Sequence, residues 1–397
     1  MNLLEKCRAY SRADEARDAG LYPYYSAFQG PSGGGRAVRE GAEVCMLGSG
    51  DYRSLSTDLQ VIGAAQDAIA LYGSSASGTR PQGGNLDLHE ELEADLAGFF
   101  GYEAALVFPT GYMTNLGVVS TLAAEGDVVY LDERAHASLE DGARLARATG
   151  AAVSRFGHLS SGDLARQLEG ASTRSALVVT DALFPEEGQL APVAELAAIC
   201  EEHGAALLVD ESHGVGLFGG GRGVVQHLGL AGRVPLMTLS FGKALASQGG
   251  AVLADARTID FLRHTSRTQV FSTGLSPADT AAAHAALREI RRRSDGEPEA
   301  LMAAEHLRRA LDVLGYDVAG DAGAVVAVRL PDEVTMFAAQ RLLVDHGVFA
   351  NVVAPVGERY QLMFACTDAH TPDVLEAVIG VLGALREELL PHHRRAA

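Results

Sequence analysis

Ala205-Ala-Leu-Leu-Val-Asp210-Glu-Ser-His213 is an apolar run of strand length that ends in an acidic residue, a hydroxyl and a histidine. A run without polar alternation is the mark of a strand covered on both faces. Similar runs lie around it: Ala104-Ala-Leu-Val-Phe108, Asp127-Val-Val-Tyr-Leu131, Ala176-Leu-Val-Val-Thr180 and Leu236-Met-Thr-Leu239. Helical text separates them from about residue 58 to 255. This alternation predicts an α/β fold whose mainly parallel sheet is covered by helices. Open sheets of that kind place their ligands at the carboxyl ends of the strands. The polar residues that follow each run are therefore where chemistry is expected.

Outside this block the text changes. A short helix-like arm opens the chain, Gly30-Pro-Ser-Gly-Gly-Gly35 interrupts it, and a strand-like run covers Ala42 to Leu47. Helical text from Pro277 to Arg293 runs into the charged turn Ser294-Asp-Gly-Glu-Pro298. Beyond it lie a strand at Ala324 to Leu330, a helix from Glu333 to His346, a strand at Tyr360 to Cys366 and a final helix. The expected organisation is an N-terminal arm and small-domain segment over 1–57, a large domain over 58–293 and a small α+β domain over 294–397. No internal repeat is present, and the tail Pro391-His-His-Arg-Arg-Ala-Ala397 reads as a frayed end rather than a metal site.

With 397 residues, 47% of them hydrophobic, the chain can bury a large core. A formal charge of −19 argues against a nucleic-acid or anionic-membrane binder, which needs a basic face. Cys7, Cys45, Cys200 and Cys366 are scattered, so neither a disulfide framework nor a zinc ribbon is indicated. The N-terminus lacks an apolar signal core and no run is long enough to span a membrane. A cytoplasmic protein is expected.

Of 32 lysines and arginines, only Lys6 and Lys243 are lysines. Arginine holds its proton, whereas a desolvated lysine can act as a neutral nucleophile and form a Schiff base. Lys243 stands in Met237-Thr-Leu-Ser240-Phe-Gly-Lys243-Ala-Leu245, a strand end running into a small-residue loop. Asp210 could keep a pyridine nitrogen protonated and strengthen an electron sink, while His213 could bond a phenolic oxygen. Ser240 and the amides of Thr110-Gly111-Tyr112-Met-Thr-Asn115 suit a phosphate, and His136 could lie against an aromatic ring. Pyridoxal 5'-phosphate (PLP) needs this set of groups. Taken singly, each residue has a plainer reading: a strand-end capping aspartate, a turn glycine, a core or surface histidine. His89 is read as organising its own helix.

Together the segments resemble the α-oxoamine synthases of the fold-type I PLP enzymes. The similarity includes Gly20-Leu-Tyr-Pro-Tyr-Tyr25, Met46-Leu-Gly-Ser-Gly-Asp-Tyr52, Leu88-His-Glu-Glu-Leu-Glu93, Thr110-Gly-Tyr112, His136-Ala-Ser-Leu139, Asp210 to His213, Lys243 and Phe271-Ser-Thr-Gly-Leu275. The opening segments and Phe261 to Arg267 are most similar to the bacterial serine palmitoyltransferase branch. The resemblance implies a large domain with a seven-stranded-type, mainly parallel sheet and a small C-terminal domain. It implies that Lys243 forms the internal aldimine, His136 stacks on the ring, Asp210 meets its nitrogen and His213 its oxygen. Gly111, Tyr112 and Ser240 would hold phosphate, and Ser272-Thr273 would reach the cofactor of a partner subunit in a homodimer. The implied reaction condenses an amino-acid quinonoid with an acyl-CoA or acyl-carrier-protein thioester, in secondary metabolism.

Several positions depart from the family pattern. Met363 stands where the family carries an arginine for the substrate carboxylate, and methionine cannot replace a guanidinium fork. Gly50 replaces an asparagine, Arg53-Ser54 a Leu-Gly pair and Pro185 a serine. A shifted register would let Arg359 or Arg80 take the carboxylate. The remodelled pocket keeps a second chemistry open, elimination, replacement or annulation on a substituted amino acid such as S-adenosylmethionine. A non-catalytic partner subunit is opposed by the presence of Lys243, and Gly219-Gly-Gly-Arg-Gly223 lacks a dinucleotide fingerprint.

Overall fold

The structure is a computed structural model that describes residues 2–31, 34–170, 175–353 and 359–389; the C-terminal histidine pair and part of the Gly30–Gly35 break lie outside the described residues. The chain forms two compact units, a larger one of Gly50–Pro185 and Gln189–Pro298, and a smaller one of Met1–Ser49, Glu186–Gly188 and Glu299–Ala397. These divisions differ from the boundaries expected at 57 and 293. Residues 50–57 join the larger unit because Leu55 is fully buried among Leu92, Leu96 and Phe241. Asp51 also accepts the N–H groups of Leu55 and Ser56, each at 2.9 Å. Glu186–Gly188 joins the smaller unit, where the Gly188 carbonyl accepts the N–H of Asp321 at 3.0 Å and of Ala322 at 2.9 Å.

Strands β1 (Arg36–Arg39) and β2 (Ala42–Leu47) belong to the smaller unit. The larger contributes β3 (Ala104–Phe108), β4 (Val128–Asp132), β5 (Ala152–Phe156), β6 (Ala176–Asp181), β7 (Leu183–Phe184), β8 (Gln189–Leu190), β9 (Ala206–Asp210), β10 (Leu236–Ser240) and β11 (Gly250–Ala254). The smaller resumes with β12 (Val318–Ala319), β13 (Val325–Leu330), β14 (Val348–Val352) and β15 (Tyr360–Ala365).

In the larger unit seven strands pair in the order β3-β11-β10-β9-β6-β4-β5. The ladders from β10 to β5 are parallel and β11 runs antiparallel to both β10 and β3. The sheet is covered on both faces, which explains the unbroken apolar runs. Leu208 packs with Leu131, Val179 and Val252 on one side. Leu207 and Val209 pack with Tyr130, Val178 and Phe156 on the other. Strands β5 and β11 were absent from the sequence reading, since β5 carries Ser154 and Arg155 and β11 is only Gly-Ala-Val-Leu-Ala. In the smaller unit six strands pair in the order β1-β2-β14-β15-β13-β12, so the N-terminal pair completes a sheet built mostly from the C-terminal third. Among the described residues no helix is long and apolar enough to cross a membrane.

Leu96 is fully buried with Leu92, Val107, Leu239 and Leu253, on the helix Asp87–Phe100 that packs beneath β3. Leu96→Ala should lower unfolding free energy by about 2–5 kcal/mol, the cost of a large cavity in a rigid core. Urea denaturation monitored by circular dichroism checks this, and a loss below about 1 kcal/mol would contradict the packing described.

Candidate active site

Parallel pairing brings the ends of the core strands to one edge of the sheet. Asp181 and Asp210 are register partners there, and so are Thr238 and Asp210. Strand β11 closes the other side, with Gly250 in register with both Phe108 and Ser240. A Cβ added to Gly250 would lie 2.6 Å from the Cα of Gly111, and one on Gly111 would lie 2.6 Å from the Cβ of Ser240. Only glycines fit where these two strand ends meet. Gly111 begins the helix Gly111–Leu122, whose cap Thr110 accepts the N–H of Met113 at 3.1 Å. The N–H groups of Gly111 and Tyr112 have no acceptor among the described residues, so a helix start and the Ser240 hydroxyl face one small cradle. Tyr112 is exposed, hydrogen-bonds Asp141 through its hydroxyl, and sets its ring edge-on to His136 with centroids 6.2 Å apart.

Asp210 is buried at the tip of β9. Its Oδ2 accepts from Asn115 Nδ2 at 2.5 Å and its Oδ1 from the Ser212 N–H at 2.7 Å. The same Asn115 amide donates to Ser138 Oγ at 2.9 Å. Ser138 Oγ lies 2.7 Å from His136 Nδ1, and the Ser138 N–H donates to that nitrogen at 3.2 Å. Nδ1 is thus an acceptor, which puts the proton of a neutral His136 ring on Nε2. The backbone N–H of His136 donates to Asp181 Oδ2 at 2.9 Å, so the strand-end carboxylate next to Asp210 helps position His136.

His213 is half-buried, and burial first, then the nearby Lys243 and His136, hold its pKa well below the ordinary imidazole value. Its Nδ1 lies 2.7 Å from the hydroxyl of buried Tyr52. Lys243 sits in the loop between β10 and β11, closed by Phe241 N–H to Gly249 O at 2.9 Å and Ala246 N–H to Lys243 O at 2.9 Å. Among the described residues the Lys243 amine has no hydrogen-bond or salt-bridge partner. A Cβ on Gly50 would fall 2.9 Å from Lys243 Cδ, so the lysine stem lies against that glycine.

The structure therefore brings Lys243, His136, Asp210, His213, Gly111, Tyr112 and Ser240 to one edge of the larger unit. Thr273 is apart from them, exposed and paired with Thr79 in an isolated bridge. His89 is structural, accepting the Leu86 N–H at 3.0 Å and holding Leu275 O through Nε2 at 2.8 Å. The sequence reading missed Tyr52, Asn115, Ser138 and Asp181 as site residues. A lone carboxamide in the uncharged Gly111–Leu122 helix was the available signal for Asn115. The donor set fits PLP: an unpartnered amine for an aldehyde, a hydrogen-bonded carboxylate for a ring nitrogen, and a cradle no side chain can fill for a phosphate.

The family model for class I and II aminotransferases matches residues 42–382. The chain belongs to that family. It is 34% identical over 382 residues to serine palmitoyltransferase of Sphingobacterium spiritivorum, covering 95% of both chains. It is 36% identical over 372 residues to 8-amino-7-oxononanoate synthase of an Anaeromyxobacter species, covering 93% of both. A Mycobacterium tuberculosis candidate 8-amino-7-oxononanoate synthase 2 is 36% identical over 94% of this chain, which spans 48% of that longer relative. A solved serine palmitoyltransferase with a PLP internal aldimine superposes with a TM-score of 0.92 at 30% identity, covering 98% of this chain and 99% of that one. The Sphingomonas wittichii enzyme gives 0.91 at the same identity and coverage. These relatives identify the chain as an α-oxoamine synthase by family and a fold-type I structure by architecture.

Within this family the arginines offered in place of Met363 are engaged elsewhere. Arg80 is buried, forked against Glu93 and donating to Asn85 Oδ1 at 2.6 Å. Arg359 is ion-paired with Glu187. Met363 itself is half-buried on β15, in register with Asn351 and Ala327.

Glu211, next to Asp210, is fully buried, and burial pushes its carboxyl up to about 7, partly opposed by the Val225 N–H that it accepts at 2.6 Å. The folded state therefore binds this proton more tightly than the unfolded chain. The stabilisation is complete below the ordinary glutamate value of 4.5 and is lost as pH rises through about 7. Unfolding free energies from urea denaturation between about pH 4.5 and 8 should decline more steeply in the wild type than in Glu211→Gln, by an amount on the order of a few kcal/mol in total. Parallel profiles would mean that Glu211 is ionised throughout.

Proposed function

We propose that the protein is a PLP-dependent transferase that joins the α-carbon of an amino acid to the acyl carbon of a thioester and releases the thiol. The observation that carries this reading is the unpartnered Lys243 amine at the same sheet edge as the Asp210 carboxylate and the Gly111–Ser240 cradle. Bound there, PLP supplies an aldehyde for amine capture and a ring that accepts the electron pair left when the α-proton departs.

The chain's own residues divide the remaining work. Asp210, gripped by Asn115 and Ser212, would hold the ring nitrogen and favour its protonated form. The amides of Gly111 and Tyr112, with Ser240, bind the phosphate at a helix start. His136 would cover one face of the ring and offer Nε2–H to the substrate, while His213 would hold the ring oxygen. Lys243 would hold the group through its amine and would serve as the base that moves the proton of the substrate α-carbon. Two copies form a homodimer in the cytoplasm, with Ser272-Thr273 of one reaching the phosphate of the other. Exposed apolar side chains on the larger unit, Leu59, Leu71 and Phe271, support such an interface. Met363 and Gly50 leave the substrate carboxylate without the family's usual partners, which points to an amino acid recognised mainly by other groups.

Lys243→Ala should abolish the lysine-dependent visible absorbance of the PLP-loaded protein, and Asp210→Asn should lower turnover by roughly 100-fold or more. Thiol release is then measured with glycine, alanine, serine and S-adenosylmethionine, each against a set of acyl-CoA thioesters. Thiol release that needs both an amino acid and a thioester supports the proposal. Loss of a sulfur leaving group from S-adenosylmethionine alone would assign elimination or annulation instead.

A further inference from the structure

The Gly50–Ser54 turn lies outside the sheet edge yet controls a loop that ends in the site. Asp51 fixes the turn by accepting the Leu55 and Ser56 N–H groups at 2.9 Å, and the Tyr52 N–H donates to Gly50 O at 2.8 Å. Its next two side chains then reach the two ends of one loop. Tyr52, only 2% exposed, places its hydroxyl 2.7 Å from His213 Nδ1. Arg53, 4% exposed, donates NH1 to Gly216 O at 2.7 Å. Gly216 itself is wedged in place, since a Cβ there would lie 2.3 Å from Ala244 Cβ and 3.2 Å from Arg53 Cγ. The His213–Gly216 loop is thus clamped between the turn and the residue that follows Lys243.

A neutral imidazole has one N–H and two nitrogens to carry it. Imidazole nitrogen is a stronger base than phenolic oxygen, so the hydrogen bond runs from Tyr52 O–H to Nδ1 and leaves the ring proton on Nε2. We infer that Tyr52 is a positioning residue that locks His213 in the Nε2–H tautomer, so that the ring offers its partner a donor and not a lone pair. The identity of that partner, the phenolic oxygen of PLP, rests on the function proposed above; the tautomer does not. Without Tyr52, Nδ1 is left buried and unpartnered, and the proton can shift onto it.

The test is a two-bond proton–nitrogen correlation spectrum of the PLP-loaded full-length protein carrying 15N-labelled histidines, with His213 assigned by its disappearance in His213→Asn. The wild type should show Nε2 protonated and Nδ1 bare. Tyr52→Phe keeps the buried ring and should show a mixed population. It should also raise the pH midpoint of the visible absorbance by about 0.5–1 unit, because a lost donor disfavours the more negative form of the bound cofactor. In a His213→Asn background Tyr52→Phe should add no further shift. A wild-type His213 protonated on Nδ1 overturns the inference without needing any variant. So does an unchanged tautomer in Tyr52→Phe, or an equal midpoint shift in both backgrounds. Absence of a Lys243-dependent visible band would instead overturn the PLP reading while leaving the tautomer measurable.

Discussion

Asp210 is gripped from two directions, by the Asn115 side-chain amide at 2.5 Å and the Ser212 N–H at 2.7 Å. A buried carboxyl group left without such donors would cost the fold the desolvation of its oxygens. The grip has further consequences because both donors are shared. Asn115 passes the connection through Ser138 to His136, and Ser212 Oγ accepts the Ser240 N–H at 2.9 Å, tying the end of β9 to the end of β10. One anion at a strand tip therefore sets the positions of the groups on either side of it. Such a network is valuable only when every member is satisfied. Here the Asn115 Oδ1 and Thr238 Oγ1 atoms remain buried and without protein partners among the described residues, directly at the site.

The cradle between Gly111 and Ser240 has a different origin. It follows from the antiparallel entry of β11, which places Gly250 opposite both Phe108 and Ser240. Without that strand, the helix start at Gly111 and the hydroxyl of Ser240 would have no reason to meet. The glycines at 111 and 250 are required by clearance and not by backbone conformation, because any Cβ at either position would collide with the other wall of the cradle.

Charge is handled by neighbours as much as by burial. His213 faces Lys243 and His136, two groups that carry positive charge when protonated, and it is kept neutral by burial together with them. A neutral histidine is directional: it presents a donor or an acceptor according to which nitrogen bears the proton. Tyr52 makes that choice from outside the row of strand ends, in a turn that packs with Leu55 against the core. A residue of this kind acts on chemistry through geometry alone.

Much of this protein is legible along the chain. The apolar runs at 104–108, 176–180, 205–210 and 236–239 announce covered parallel strands, because burial on both faces removes polar alternation. Lys243, one of only two lysines in the chain, and the polar residues after each run announce the chemistry, because strand ends are where such sheets bind ligands. What the sequence could not decide is which residues meet. Strand β11, Gly-Ala-Val-Leu-Ala, is too poor in large side chains to announce itself, yet it completes the cradle. Asn115, Ser138, Asp181 and Tyr52 are ordinary polar residues until folding buries them within 3 Å or so of a charged or titratable partner. Arg80 and Arg359, open substitutes for a substrate arginine in sequence, are taken by Glu93 and Glu187. Residue type and local pattern determined the elements and the chemistry on offer. Pairing, clearance and the sharing of hydrogen bonds exist only between segments distant in the chain, so the tertiary structure alone decided the site.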